Sequence, residues 1–114
     1  MHELSIAHSI LSIAEKAAAA NNNGVVTAVG LQIGELSGIE TDSLAFAFSI
    51  IREGTRLHQA ELKIELISGE AKCLDCSHEF PMNNYAVLCP ECSSNAISII
   101  KGKEMKVVNI SMED

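Results

Sequence analysis

The chain has 114 residues and carries eight Lys and Arg against fifteen Asp and Glu, a formal charge of −7. That length supports one small domain, or a small domain carrying a metal-stapled module. The acidic balance argues against a nucleic-acid partner, because affinity for phosphates needs a basic face, and the stretch from Ala71 to Ile97 offers only Lys72.

With no tryptophan, three phenylalanines and one tyrosine, the core must be aliphatic. From about Leu4 to Ala20, Leu4, Ala7, Leu11, Ala14 and Ala18 recur at helical spacing, with Ile10 and Ala17 widening the stripe. Asn21-Asn22-Asn23-Gly24 then ends the helix, since Asn and Gly accept the left-handed conformation of a C-terminal cap. Val25 to Ile33 alternates Thr27, Val29, Leu31 and Ile33 with Ala28, Gly30 and Gln32, which predicts a strand with one buried face.

Thr41 or Asp42 is placed to cap a second helix whose Leu44, Ala47, Phe48 and Ile51 share a face, and Gly54 stops it. A strand from about Ala60 to Ile67 follows, with Leu62, Ile64 and Leu66 inward. After the cysteine-bearing stretch, Met105 and Val107 alternate in one phase, then Val108, Ile110 and Met112 in the other, the mark of a last strand with a bulge. The expected architecture is α+β, two helices on a three-stranded sheet, formed by residues 1–69 plus 101–114, with a zinc-ribbon module inserted at residues 70–100.

All four cysteines lie in that insertion, as Cys73-x-x-Cys76 and Cys89-x-x-Cys92, with twelve residues between the pairs. Each C-x-x-C folds into a knuckle that aims two sulfurs at one point, and four thiolates close a tetrahedron around Zn²⁺. A disulfide framework would need an oxidising compartment, but the N-terminus lacks a basic start, and His8, Glu15 and Lys16 interrupt its apolar run, unlike a signal peptide. A redox C-x-x-C usually stands alone beside a βαβ pattern. Four cysteines fill the zinc shell and leave no open position for water, so the expected zinc is structural. With no membrane-length run and no lipidation motif, the expected compartment is the cytoplasm and no membrane partner is expected.

The N-terminus reads Met1-His2-Glu3. Histidine at position 2 is bulky enough that the initiator methionine should be retained. The Met1 amine, the His2 backbone nitrogen once deprotonated, and the His2 ring nitrogen can then lie in one plane around a metal. Such a nitrogen-rich planar set suits Ni²⁺ or Cu²⁺ better than Zn²⁺. The bland reading is that His2 and Glu3 are solvated, with Glu3 near the positive end of the helix dipole.

Met1-His2-Glu3-Leu4-Ser5, Ile33-Gly34-Glu35-Leu36-Ser37-Gly38, Phe46-Ala47-Phe48, the two cysteine pairs with Pro90 in the second, and Gly102-Lys103-Glu104 occur in one order along the chain. Together they resemble the HypA family of hydrogenase nickel-incorporation proteins, which includes HybF, from Met1 to about Met112. The resemblance implies a nickel-binding domain with a zinc ribbon. It assigns Ni(II), as transferable cargo, to the Met1 amine, to His2 through side chain and backbone, and to the Glu3 backbone. It assigns structural Zn(II) to Cys73, Cys76, Cys89 and Cys92. Family members act with a HypB-type GTPase and pass nickel to the large subunit of [NiFe]-hydrogenase; some also serve urease.

One departure from the pattern concerns histidines, which in some relatives follow each cysteine pair. Here His78 follows the first, but Ser93, Ser94 and Asn95 follow the second, so a four-cysteine shell is expected and His78 is read as a solvated loop residue. The expected protein is not an enzyme: its cysteines are committed to zinc, and it has no nucleophile with a partner base and no glycine-rich nucleotide loop. A monomer or weak homodimer is expected. The alternative reading is a structural zinc-ribbon adaptor that binds a protein partner without nickel.

Overall fold

The computed structural model describes residues 2–22, 24–85 and 87–113. In chain order the elements are α1 (Glu3–Ala20), β1 (Val25–Gly34), α2 (Thr41–Ile51), β2 (Glu61–Ile67), β3 (Glu70–Cys73), β4 (Glu79–Pro81), β5 (Ile97–Lys101) and β6 (Met105–Glu113). Two three-stranded sheets result, ordered β2-β1-β6 and β4-β3-β5. The chain divides into two compact units, one of residues 1–31, 39–65 and 106–114, the other of residues 32–38 and 66–105.

In the first unit α1 packs on α2. The buried face of α1 is Ala7, Ile10, Ala14 and Ala18, so Ile10 lies at the centre of the stripe and Leu4, read as part of it, is 56% exposed. Three alanines on that face let a neighbour approach closely. The helix ends where Asn22 takes a positive φ of 65°, the conformation that asparagine tolerates better than most residues.

β1 departs from the expected single buried face: Val26 and Ala28 are buried as well as Val29, Leu31 and Ile33. β1 is the central strand of its sheet, with β2 on one side and β6 on the other. A Cβ at Gly30 would lie 2.5 Å from the end of the exposed Asn109 side chain, which would have to move aside.

In α2, Leu44 and Phe48 form the buried face. Its N-cap is Glu40 in extended conformation, not Thr41 or Asp42, and the ladder opens with the Leu44 N–H donating to the Glu40 carbonyl. β2 keeps Leu62 and Ile64 half-buried, but Leu66, expected inward, is 57% exposed. In β6 the half-buried residues are Met105 and Val107, then Ile110 and Met112, with Val108 and Asn109 both exposed between them, the phase change expected from the sequence.

The second unit is built around close backbone approaches. A Cβ on Gly34 would lie 1.9 Å from the Gly102 carbonyl oxygen, one on Gly69 would lie 2.0 Å from the Met82 carbonyl oxygen, and Gly102 takes a φ of 114°. The Leu36 N–H donates to the Gly102 carbonyl at 2.7 Å and the Gly34 N–H to the Glu104 carbonyl at 2.8 Å. So the motifs Ile33–Gly38 and Gly102–Glu104, far apart in sequence, are pinned to each other by hydrogen bonds that only glycine lets form. Leu36, Ala71, Phe80 and Met82 pack with Cys73 and Cys89 into the unit's small core.

Candidate metal centre

Two turns of the same design position the cysteines. In the first, the Cys73 N–H donates to the His78 carbonyl at 2.9 Å, the Ser77 N–H donates to the Cys73 carbonyl at 2.9 Å, and Ser77 has φ 65°. In the second, the Cys89 N–H donates to the Ser94 carbonyl at 2.9 Å, the Ser93 N–H donates to the Cys89 carbonyl at 2.8 Å, and Ser93 has φ 62°. Each turn therefore reverses at the serine that follows its second cysteine, and the two knuckles repeat each other bond for bond. A serine four positions after the first cysteine of both pairs was the sequence signal for this repeat.

β3 delivers Cys73 at its last residue, paired with Ile97 of β5. All four sulfurs lie within 4.8 Å of one another. The Cys73 and Cys92 sulfurs are 3.5 Å apart and those of Cys76 and Cys89 3.6 Å. A zinc tetrahedron with Zn–S bonds of about 2.3 Å has sulfur–sulfur edges of about 3.8 Å. The cysteines are free thiols, so the four sulfurs fit a structural zinc and not a pair of disulfides. Cys73 and Cys89 are buried while Cys76 and Cys92 are exposed, which closes one side of the site and leaves the other at the surface.

Crowding separates the thiols electrostatically. The Cys76 N–H, helped by the Asp75 N–H and the Cys92 thiol, lowers Cys73 to about 7 against the opposing effect of burial. At Cys92 the Ser94 N–H favours the thiolate, but the neighbouring Cys73 thiol, burial, Cys76 and Cys89 outweigh it and push the group up to about 12. Without a cation, one thiolate is easily formed and the last is strongly resisted. A bound zinc supplies the positive charge that lets all four ionise.

His78 lies in the loop before β4 as expected, but it is half-buried and not fully solvated, its ring stacked on Phe80 with centroids 5.9 Å apart and planes inclined at 17°. Among the described residues the metal-ligating cluster consists of the four cysteines alone.

At the other expected site, Met1 lies outside the described residues. His2 is exposed and forms the N-cap of α1 with φ 66° and ψ 11°, a left-handed conformation unusual outside glycine, and its imidazole caps no helix N–H. The helical ladder begins with the Ile6 N–H donating to the His2 carbonyl at 3.0 Å. The Glu3 carboxylate accepts the Glu40 N–H at 3.1 Å, which ties the start of α1 to the N-cap of α2.

Comparison with known proteins bears on both sites. Residues 1–112 match the family model described as hydrogenase/urease nickel incorporation, metallochaperone, hypA. The chain belongs to the HypA family. The hydrogenase maturation factor HypA of Parabacteroides distasonis is 43% identical over 110 residues, 96% of each chain. The solution structure of the Ni metallochaperone HypA from Helicobacter pylori matches with a TM-score of 0.68 and 31% identity, covering 98% of this chain and 97% of that one. A second solution structure, of a HypA protein, matches with a TM-score of 0.74 and 32% identity, covering 99% of this chain and 97% of that one. The α+β reading holds in this family frame: two helices, two small sheets and a four-cysteine cluster. Among the described residues no helix is long and apolar enough to cross a membrane.

Proposed function

We propose that this chain captures Ni(II) at Met1, His2 and Glu3 and hands it on for hydrogenase maturation, with zinc held by Cys73, Cys76, Cys89 and Cys92 as a permanent structural ion. The observation that carries the reading is the match of residues 1–112 to a nickel-incorporation family, together with an exposed His2 at the start of α1. The Met1 amine, the His2 backbone and ring nitrogens and the Glu3 backbone nitrogen supply the ligands. Because the helical ladder opens only at Ile6, metal at these nitrogens breaks no helical hydrogen bond. Residues 1–69 plus 101–114 then form the nickel-handling part and residues 70–100 the zinc ribbon.

In this reading the protein performs no catalysis. Nickel leaves when a partner offers competing ligands, with a HypB-type GTPase driving the transfer and the large subunit of [NiFe]-hydrogenase, and in some pathways urease, receiving the ion. The protein works in the cytoplasm as a monomer or weak homodimer.

The test is a calorimetric Ni²⁺ titration of zinc-loaded protein with its native N-terminus beside His2→Ala. One nickel bound by the native chain and lost in the variant, at unchanged zinc content, is the expected result. Equal binding by both, or by neither, would leave a zinc-ribbon adaptor as the better description. Binding should also weaken as pH falls through the range of an α-amine, about 7.7–8.0, since protons compete for the same nitrogen.

A further inference from the structure

The two cysteine knuckles are joined by a ring of hydrogen bonds that contains no sulfur. The Leu74 N–H donates to the Ala96 carbonyl at 2.8 Å. The Ala96 N–H donates to the Ser94 hydroxyl oxygen at 3.0 Å. The Ser94 hydroxyl in turn donates to the Asp75 carboxylate. Leu74 and Asp75 are adjacent in the chain, so the ring closes on itself, and the segment Ser94–Ala96 grips the dipeptide between Cys73 and Cys76.

Each partner suits its place. Ser94 uses its hydroxyl as acceptor and donor at once, and its carbonyl already takes the Cys89 N–H, so one residue links the second knuckle's own turn to the first knuckle. The bond to Asp75 is charge-assisted, among the stronger hydrogen bonds. By the repeat of the two knuckles, the equivalent link would join Glu91, in the second pair, to His78, after the first. There the histidine is instead stacked on Phe80. The side-chain link between the knuckles is thus one-sided, and Asp75 and Ser94 carry it.

We infer that Asp75 and Ser94 are positioning residues of the zinc centre, which hold the two sulfur pairs in register so that zinc leaves slowly. The inference rests on the zinc reading of the four cysteines. Removal of partners beyond the direct ligands lowers metal affinity by roughly 10–100-fold in other proteins. The clasp acts on the geometry of sulfurs that lie 3.5 and 3.6 Å apart across the knuckles, Cys73 to Cys92 and Cys76 to Cys89.

The experiment compares the native chain with Asp75→Ala, Ser94→Ala, the double variant and Ser94→Thr, first for zinc per chain and then for the rate of zinc transfer to a chromogenic chelator. One zinc per chain throughout, release about 10-fold faster in each single variant, no further gain in the double variant, and a native rate in Ser94→Thr are expected. Equal release rates in all zinc-loaded proteins would overturn the clasp and leave the zinc reading intact. Additive effects in the double variant, or no rescue by threonine, would overturn it too, since the two residues would then act separately. A native chain that holds no zinc would overturn the zinc reading and the clasp together. A single variant that fails to retain zinc at all, while Ser94→Thr retains it, supports the inference at a larger magnitude.

Discussion

The two compact units are stabilised by different means. The first buries an apolar interior that includes Ile10, Val26, Val29, Leu31, Leu44, Phe48 and Leu57, all at most 2% exposed. The second has a core of six buried residues, two of which, Cys73 and Cys89, are metal-ligand candidates. Its strands are short, and its glycines bring backbone against backbone where side chains would otherwise pack. Apolar burial supports the first unit, whereas the second depends on a metal and on hydrogen bonds.

Removing the metal should break this comparison most severely. Cys73→Ser, or exhaustive chelation, is expected to unfold the second unit, because structural zinc sites of this class contribute on the order of 10–16 kcal/mol. Amide exchange should show lost protection at Ala71 and Phe80 while α1 and α2 stay protected; uniform loss, or none, would sink the distinction. Phe48→Ala should do the converse, costing about 3–5 kcal/mol through the cavity left in the first unit, as read by urea unfolding, with zinc per chain unchanged.

Gly34→Ala tests the glycine-built junction of the second unit. Its Cβ would collide with the Gly102 backbone, so a loss of about 1–3 kcal/mol or more is expected in the same unfolding assay.

The thiols sharpen the comparison through pH. In zinc-free protein the unfolded second unit no longer holds Cys73 and Cys92 in these surroundings, so ultraviolet thiolate absorbance should show both ionising near their ordinary 9.0. Separate steps near 7 and near 12 would show that the second unit keeps its fold without metal and would contradict the first prediction. The smallest effect on stability belongs to His2→Gly: glycine adopts a φ of 66° without strain, so thermal unfolding should shift by no more than about 0.5 kcal/mol, whereas calorimetry should find nickel binding lost.

Much of this was legible in the residues. The helical stripe through Ala7, Ala14 and Ala18, the strand at residues 25–33 and the phase change in the last strand follow from periodicity, which local geometry imposes. The misreadings share one cause. Leu4 and Leu66 satisfy the period of a buried face yet stay exposed, and the second face of β1 is buried although its pattern alternates, because the neighbours of an element decide what is covered. Likewise the N-cap fell on Glu40, whose N–H meets the carboxylate of Glu3, a residue distant in sequence.

For the metal centre, the sequence alone determined the four cysteines and their spacing, because a metal tetrahedron needs two close pairs whatever the surrounding fold. The Met1-His2-Glu3 start is proposed as the nickel site by the same kind of local chemistry, a reading that the His2 variants test. Only the tertiary structure decided that His78 lies on Phe80 and that Ser94 reaches Asp75. Periodicity and spacing are local properties of a chain, while these contacts join residues that folding alone brings together.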